Sequence, residues 1–143
     1  MAVITGGKVI PGAFRAYGAG APSAGTSEVQ TLTIGGTPTG GSFKLRHEGF
    51  VTAAIPWNAT NATLIASIDA ALEALPSIGT GGVATAAGTL TAGIGTVTLT
   101  FGGDRARQAG IGTIAVESND LTGTNPTLGV AVTTAGVDAT ARG

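Results

Sequence analysis

Few residues of the sequence have the side chains that catalysis or metal binding needs, and they are scattered. His47 is the one histidine among 143 residues, and cysteine is absent, which excludes thiol nucleophiles, disulfides and cysteine-based metal sites. A catalytic or ligating His47 would need a partner, but strand alternation predicts that Glu48 points to the opposite face. We therefore expect His47 to be a hydrogen-bonded histidine near a strand end.

Three other side chains have chemistry that could serve a site. Asp69 and Glu73 lie four residues apart on a predicted helix, where two carboxylates could share acid–base work or hold a hard cation. Because no third oxygen ligand is indicated, a solvated or protein-contacting face is the favoured interpretation. Trp57 could stack on a sugar or a base, but with 4% aromatic residues a core or interface position is favoured.

The densest charge cluster is Asp104-Arg105-Ala106-Arg107, which follows Gly102-Gly103 at the end of a predicted strand. Two arginines could hold a phosphate, but neither GxGxxG nor GxxxxGKS occurs. We expect Arg105 and Arg107 to lie on an exposed loop and to form salt bridges with a neighbouring subunit.

No serine lies in a Gly-x-Ser-x-Gly frame. The sequence therefore predicts no catalytic, cofactor-binding or metal-ligating residue, and neither an enzyme nor a cofactor is expected.

The composition limits the possible partners. Charged residues make up 10% of the chain and the net charge is −1, so the chain has no basic patch for nucleic acid or anionic lipid. No secretory signal or membrane-spanning stretch is recognised, and we expect synthesis in a cytoplasm. A surface made mainly of Thr, Ser, Gly and Ala is suited to packing against other protein.

The elements that must position these residues are mostly strands. Apolar residues alternate with threonine or charged residues in segments separated by Gly, Asn or Pro, which is typical of antiparallel strands. We predict strands at residues 29–34, 40–47, 50–55, 83–86, 96–101, 113–117 and 128–133, and the first three are expected to form a meander.

One helix is predicted over about residues 62–75. Its apolar side chains recur at spacings of three and four, and Pro76 ends it. The preceding Asn58–Thr63 segment supplies capping residues. The predicted fold class is therefore α+β but mostly β: a small antiparallel β-sandwich or barrel-like domain with one helix.

The chain divides into three parts by composition. Residues 1–28 are predicted to form an extended Gly/Ala-rich arm, residues 29–134 the β-rich domain and residues 135–143 a short tail. The arm is expected to become ordered on a partner. Its apolar anchors and two basic residues are the predicted contacts with a partner or a neighbouring subunit, together with Arg105 and Arg107: Val3, Ile4, Lys8, Val9, Ile10, Phe14, Arg15 and Tyr17.

Four blocks in order carry a family resemblance: residues 29–36 (VQTLTIGG), 41–45 (GSFKL), 54–60 (AIPWNAT) and 68–79 (IDAALEALPSIG). This order resembles a β-rich module of structural proteins of tailed actinobacterial phages, related copies of which recur in bacterial surface proteins. A single module behind an arm is similar to the decoration, or cement, proteins of phage capsids.

The resemblance implies a non-enzymatic virion protein on the capsid surface, made in the host cytoplasm. Its partners would be the major capsid protein and copies of itself, commonly as a homotrimer, with no nucleic acid and no membrane. Two other functions stay open: a tail tube or adaptor component, and a carbohydrate- or host-binding surface module that uses Trp57.

Overall fold

The computed structural model describes residues 25–138. In chain order these residues form six strands, one helix and one 3-10 turn: β1 (Val29–His47), β2 (Phe50–Val51), β3 (Ile55–Pro56), α1 (Asn61–Glu73), β4 (Val83–Ala87), β5 (Gly95–Phe101), the 3-10 turn Gly103–Arg105, and β6 (Ala115–Thr134).

All six strands belong to one antiparallel sheet organised around β1. The first half of β1 pairs with β5, which in turn pairs with β4. Further along the same edge, β1 pairs with β3 and then β2. Its other edge pairs with β6 from Val29 to Arg46.

The predicted three-strand meander is wrong in its connections. The segments predicted as strands 29–34 and 40–47 are one continuous strand, in which the pairing with β6 shifts between Gly35 and Thr37 and again between Pro38 and Gly40. Gly36 has φ +72° and lies against the carbonyl of Asn125, so that a Cβ built there would be 2.0 Å from that oxygen. The Gly-Gly pair therefore forms a bulge and does not end the strand.

The C-terminal strands are joined in the same way. Of the segments predicted at residues 113–117 and 128–133, residues 115–117 and 128–133 belong to the single strand β6, whose middle part pairs with the bulged part of β1. The predicted third strand, at residues 50–55, is instead two short strands at the edge of β1.

Helix α1 packs on the sheet next to β4 and β3. Leu64, Ile68 and Leu72 are fully buried at spacings of four, as the apolar periodicity predicts. Asn58 accepts a hydrogen bond from the Thr60 N–H at 2.7 Å just before the helix. Asn61 contacts the segment before β5, accepting from the Gly93 N–H at 2.9 Å and donating to the Leu90 carbonyl at 3.0 Å.

The core lies between the helix and one face of the sheet. β1 contributes Leu32, Ile34, Phe43 and Leu45, β5 contributes alternate residues from Val97 to Phe101, and the loop after β5 adds Ile111 and Ile114. The predicted fold class, a small mostly β, antiparallel and sandwich-like domain with one helix, is confirmed.

The β structure reaches beyond residues 29–134. Thr26 and Val137 form an antiparallel bridge with two hydrogen bonds of 2.9 Å. Glu28 is buried, and its carbonyl accepts from the Phe101 N–H. Residues 25–28 and 135–138 thus pack on the sheet next to the ends of β1 and β6.

Candidate interaction surface

The sequence-predicted contact residues are divided between two regions. Val3, Ile4, Lys8, Val9, Ile10, Phe14, Arg15 and Tyr17 lie outside the described residues. Arg105 and Arg107 lie on the loop after β5, where Arg107 is exposed and has φ +56°. The Arg107 N–H donates to Ser27 Oγ at 3.2 Å, so its backbone is fixed while its side chain faces solvent.

Arg105 forms an ion pair within the chain. Its two terminal nitrogens each donate to one carboxylate oxygen of Glu48 at 2.9 Å. The hydrogen bond from this guanidinium lowers the pKa of the Glu48 carboxyl and raises that of Arg105. Glu48 has φ +50° in the turn after β1, and its carboxylate contacts Arg105 on the loop.

His47 is buried next to this pair. Its Nδ1 lies 2.8 Å from Ser77 Oγ, and Ser77 Oγ donates to the His47 carbonyl at 3.3 Å. The Glu48 carboxylate is 3.9 Å from His47 Nε2, which has no hydrogen-bond partner in the described part of the chain. Burial lowers the pKa of His47.

The geometry around His47 is that of a structural histidine. A serine, a histidine and a glutamate lie close together, but His47 is fully buried and Ser77 is 8% exposed. The Ser77 hydroxyl donates to the His47 backbone carbonyl, so its proton is not directed at the His47 ring as it would be in a catalytic serine–histidine pair. The prediction of a hydrogen-bonded histidine at a strand end is confirmed.

A second buried polar group was missed by the sequence reasoning. Gln30 is fully buried in β1. Its side-chain N–H groups donate to Glu28 Oε2 at 2.5 Å and to the Gly112 carbonyl at 3.0 Å, and its Oε1 accepts from the Ile114 N–H at 2.7 Å. Gln30 therefore fixes the loop after the 3-10 turn to the sheet. The sequence pattern could have indicated this burial, because Gln30 shares the two-residue periodicity of Leu32 and Ile34 and therefore lies on the same face of the strand.

Two other candidate side chains, Asp69 and Trp57, also have structural contacts. Asp69 is half-buried and accepts from Thr85 Oγ1 at 2.9 Å, which joins α1 to β4. Trp57 is partly buried against the core, and its indole N–H donates to the Gly93 carbonyl at 3.0 Å. Of the predicted core or interface position, the structure shows partial burial of Trp57 against the core.

The sheet face opposite the helix is uncharged along the first half of β1 and the strands that pair with it there. Gln30, Leu32 and Ile34 point into the core, so Val29, Thr31 and Thr33 point away from it, and cross-strand partners share their face. We call the resulting set the outer face, and none of its residues is buried: Val29, Thr31, Thr33, Ala84, Ala86, Thr96, Thr98, Thr100, Ala131 and Thr133.

Several hydroxyls of the outer face are already hydrogen-bonded within the sheet. Thr31 and Thr133 bond each other at 3.0 Å, and Thr133 donates to the Val29 carbonyl at 3.2 Å. Thr98 donates to the Ala86 carbonyl at 3.3 Å, and Thr96 bonds Thr89 at 3.0 Å. Because these hydroxyls have protein partners, covering them with another protein surface costs less than burying free hydroxyls.

Three kinds of feature are absent from residues 25–138. No pocket was detected there, and no group of three or more His, Cys, Asp or Glu side chains is placed to hold a metal ion. No helix in that range is long and apolar enough to cross a membrane.

Comparison with known proteins gives no family assignment. No protein-family model matches the chain, and no curated protein is significantly similar to it.

Proposed function

We propose that the chain is a non-enzymatic structural virion protein that binds the outside of a phage capsid as a decoration protein. The observation that carries the proposal is the outer face, which is uncharged, accessible and rich in hydroxyls that are already paired within the sheet. A surface of this kind loses little on being covered by protein. The resemblance of residues 29–79 to phage structural modules supports the same function.

The proposed partners are the major capsid protein and other copies of the chain, in the trimer that the resemblance implies. Residues 1–24 would lie across neighbouring capsid subunits, and they would join the domain next to Thr26, which pairs with Val137 beside the ends of β1 and β6. A folded body joined to an extended arm gains affinity because the second contact forms at high effective concentration.

Co-sedimentation with capsids that lack the protein tests this proposal. Thr98 lies in β5 in the middle of the outer face, and we expect Thr98→Arg to weaken capsid binding about tenfold or more, because it places an unpaired charge in the contact. Ala66 is exposed on α1, and Ala66→Arg is the matched control that should bind as the unmodified chain does. Equal binding by both variants would remove the outer face from the proposal.

The arm is tested separately. Removing residues 1–24 leaves the Thr26–Val137 bridge and the core intact, so we expect the shortened chain to fold and to lose capsid binding. A shortened chain that saturates capsids with unchanged affinity would contradict the role of the arm.

A further inference from the structure

Within the described residues, strand β6 leaves one long edge of the sheet unpaired. Within residues 25–138, this 20-residue strand is hydrogen-bonded to β1 alone. Unpaired edges tend to join other strands, and proteins protect them with charges, prolines and bulges. The first part of β6 has such protection: Glu117 and Asp120 are charged, Pro126 lacks an N–H, and the pairing with β1 shifts at the bulge opposite Gly35 and Thr37.

The last part of β6 lacks this protection. Residues 127–132 pair with residues 35–30 of β1 in one unbroken register. No charged residue occurs between Asp120 and Asp138. This segment is therefore regular, uncharged and rich in β-branched residues, which favours pairing with another strand.

The side chains of this segment show an incomplete apolar face. Leu128 and Val130 lie opposite Ile34 and Leu32, which are 1% and 0% exposed. Leu128 and Val130 themselves are only partly buried. Val132 lies opposite the buried Gln30 and is 41% exposed. Among residues 25–138, no neighbour fully covers the core-facing row of side chains where it reaches the edge strand.

We propose that a second copy of this chain pairs its own β6 with this edge, antiparallel and about a two-fold axis through Val130. In this register, Val130 meets Val130 of the second copy, and Leu128 meets its Val132 on both sides of the axis. Core-facing residues then lie opposite core-facing residues, as antiparallel pairing requires. The two sheets become continuous, with both helices on one side and both outer faces on the other.

Neighbouring registers fit less well. An axis through Gly129 would set Asp120 opposite Asp138 of the second copy, where like charges repel. An axis through Ala131 would set Leu128 opposite Thr134 and leave its side chain without an apolar partner. Only the axis through Val130 pairs all three core-facing aliphatic residues of the segment with aliphatic residues.

This contact goes beyond the proposed function, because it joins two copies without a capsid and is a two-fold contact separate from the trimer contact that the resemblance implies. Its test therefore uses the purified full chain alone, and the result does not depend on whether the chain binds capsids.

The absence of cysteine makes a cross-linking test direct. In the proposed register, Val130→Cys brings two cysteines directly opposite each other, with Cα atoms about 4.5–5.5 Å apart, which permits a disulfide. Thr127→Cys is the matched control on the same strand, since two such residues would be about 20 Å apart. We expect mild oxidation to give at least tenfold more covalent dimer with Val130→Cys. Equal yields would overturn the proposal.

A charge on the edge gives an independent test. We expect Val132→Lys to weaken dimerisation at least tenfold in sedimentation equilibrium, because the added charge faces Leu128 of the second copy. Ala66→Lys, on the exposed side of α1, should dimerise as the unmodified chain does. Three results would contradict the proposal. The first is unchanged association of a folded Val132→Lys variant, and the second is an unmodified chain that is monomeric. The third is a trimer that Val130→Cys does not cross-link. If Val132→Lys does not fold, the cysteine variants decide.

Discussion

At the scale of single residues, the polar groups inside the domain act as links between elements. His47 joins the end of β1 to Ser77 after the helix, and Gln30 joins the start of β1 to the loop at Gly112 and Ile114. Removing a buried partner leaves the other group unsatisfied, which costs about 1–3 kcal/mol for each group. The chemistry of these side chains is therefore used for stability.

The burial of His47 predicts a pH-dependent stability. An unfolded chain holds this histidine at its ordinary pKa of 6.5, whereas burial lowers the pKa in the folded state. Below about pH 6.5 the unfolded chain binds a proton that the folded chain does not, so the free energy of unfolding falls as the pH falls. Between pH 7.5 and pH 5.5 the loss can reach about 1.4 kcal/mol.

Urea unfolding at the two pH values measures this loss. The chain has one histidine, so His47→Gln should remove most of the difference even if the variant is less stable at both pH values. The Glu48 carboxyl does not contribute in this window, because its pKa is lowered from 4.5. The same pH dependence in the variant would show that another group is responsible.

At the scale of elements, the two long strands depend on glycines that allow a bulge. Gly36 and Gly79 both have positive φ, +72° and +79°. A Cβ at Gly36 would meet the Asn125 carbonyl at 2.0 Å, whereas a Cβ at Gly79 would have nothing within 4 Å. The two positions share the strain of a left-handed backbone and differ in the close approach of a neighbouring strand.

This difference gives a second prediction. Gly79→Ala should destabilise the fold by about 1–2 kcal/mol, the cost of a left-handed backbone for a residue with a Cβ. Gly36→Ala should cost about 2 kcal/mol more, because the bulge must also open to relieve the clash. Thermal unfolding of the two variants compares them directly, and equal melting temperatures would argue against a tight bulge.

The sequence predicted most segments correctly and their connections incorrectly. Alternation located the strands around Leu32, Phe43 and Val97, and spacing located the helix within two residues at each end. The Gly35-Gly36 pair has the local composition of a turn, but whether it ends a strand depends on β6, which lies about 90 residues away. Long-range pairing therefore determines whether the strand continues through this pair, and the local sequence does not indicate it.

The candidate surface was predictable only in part. Thr31 and Thr33 could be assigned to one face of a strand from their spacing. Assigning the residues of the outer face required the register that sets Thr98 beside Thr31 and Ala86 beside Thr98. This register is fixed by the packing of the opposite face of the sheet.

At the scale of the whole molecule, β1 holds the domain together. Four of the other five strands pair with β1 directly, and β4 joins through β5. No part of the sheet can lose β1 and stay folded, so we expect the domain to unfold as one cooperative unit.

A pair of truncations tests this unity. A chain that ends at Ile114 lacks β6, exposes one whole edge of β1 and uncovers Leu32 and Leu45, so we expect it to show no cooperative unfolding by circular dichroism. A chain that ends at Asp138 keeps β6 and the Thr26–Val137 bridge, and its melting temperature should stay within a few degrees of the full chain. A cooperative transition in the shorter chain would show that β6 is an accessory strand.

The pairing of β1 with β6 also sets the order of events on the ribosome. β1 is complete at His47, but its partner strand ends at Thr134, so the growing chain must wait while the intervening residues are made. At about 5–20 residues per second this takes roughly 4–17 s. During that time β1 can find β5 but not β6, and its long second edge stays open to other nascent chains. A protein produced in many copies would therefore be most exposed to mispairing before its synthesis is finished.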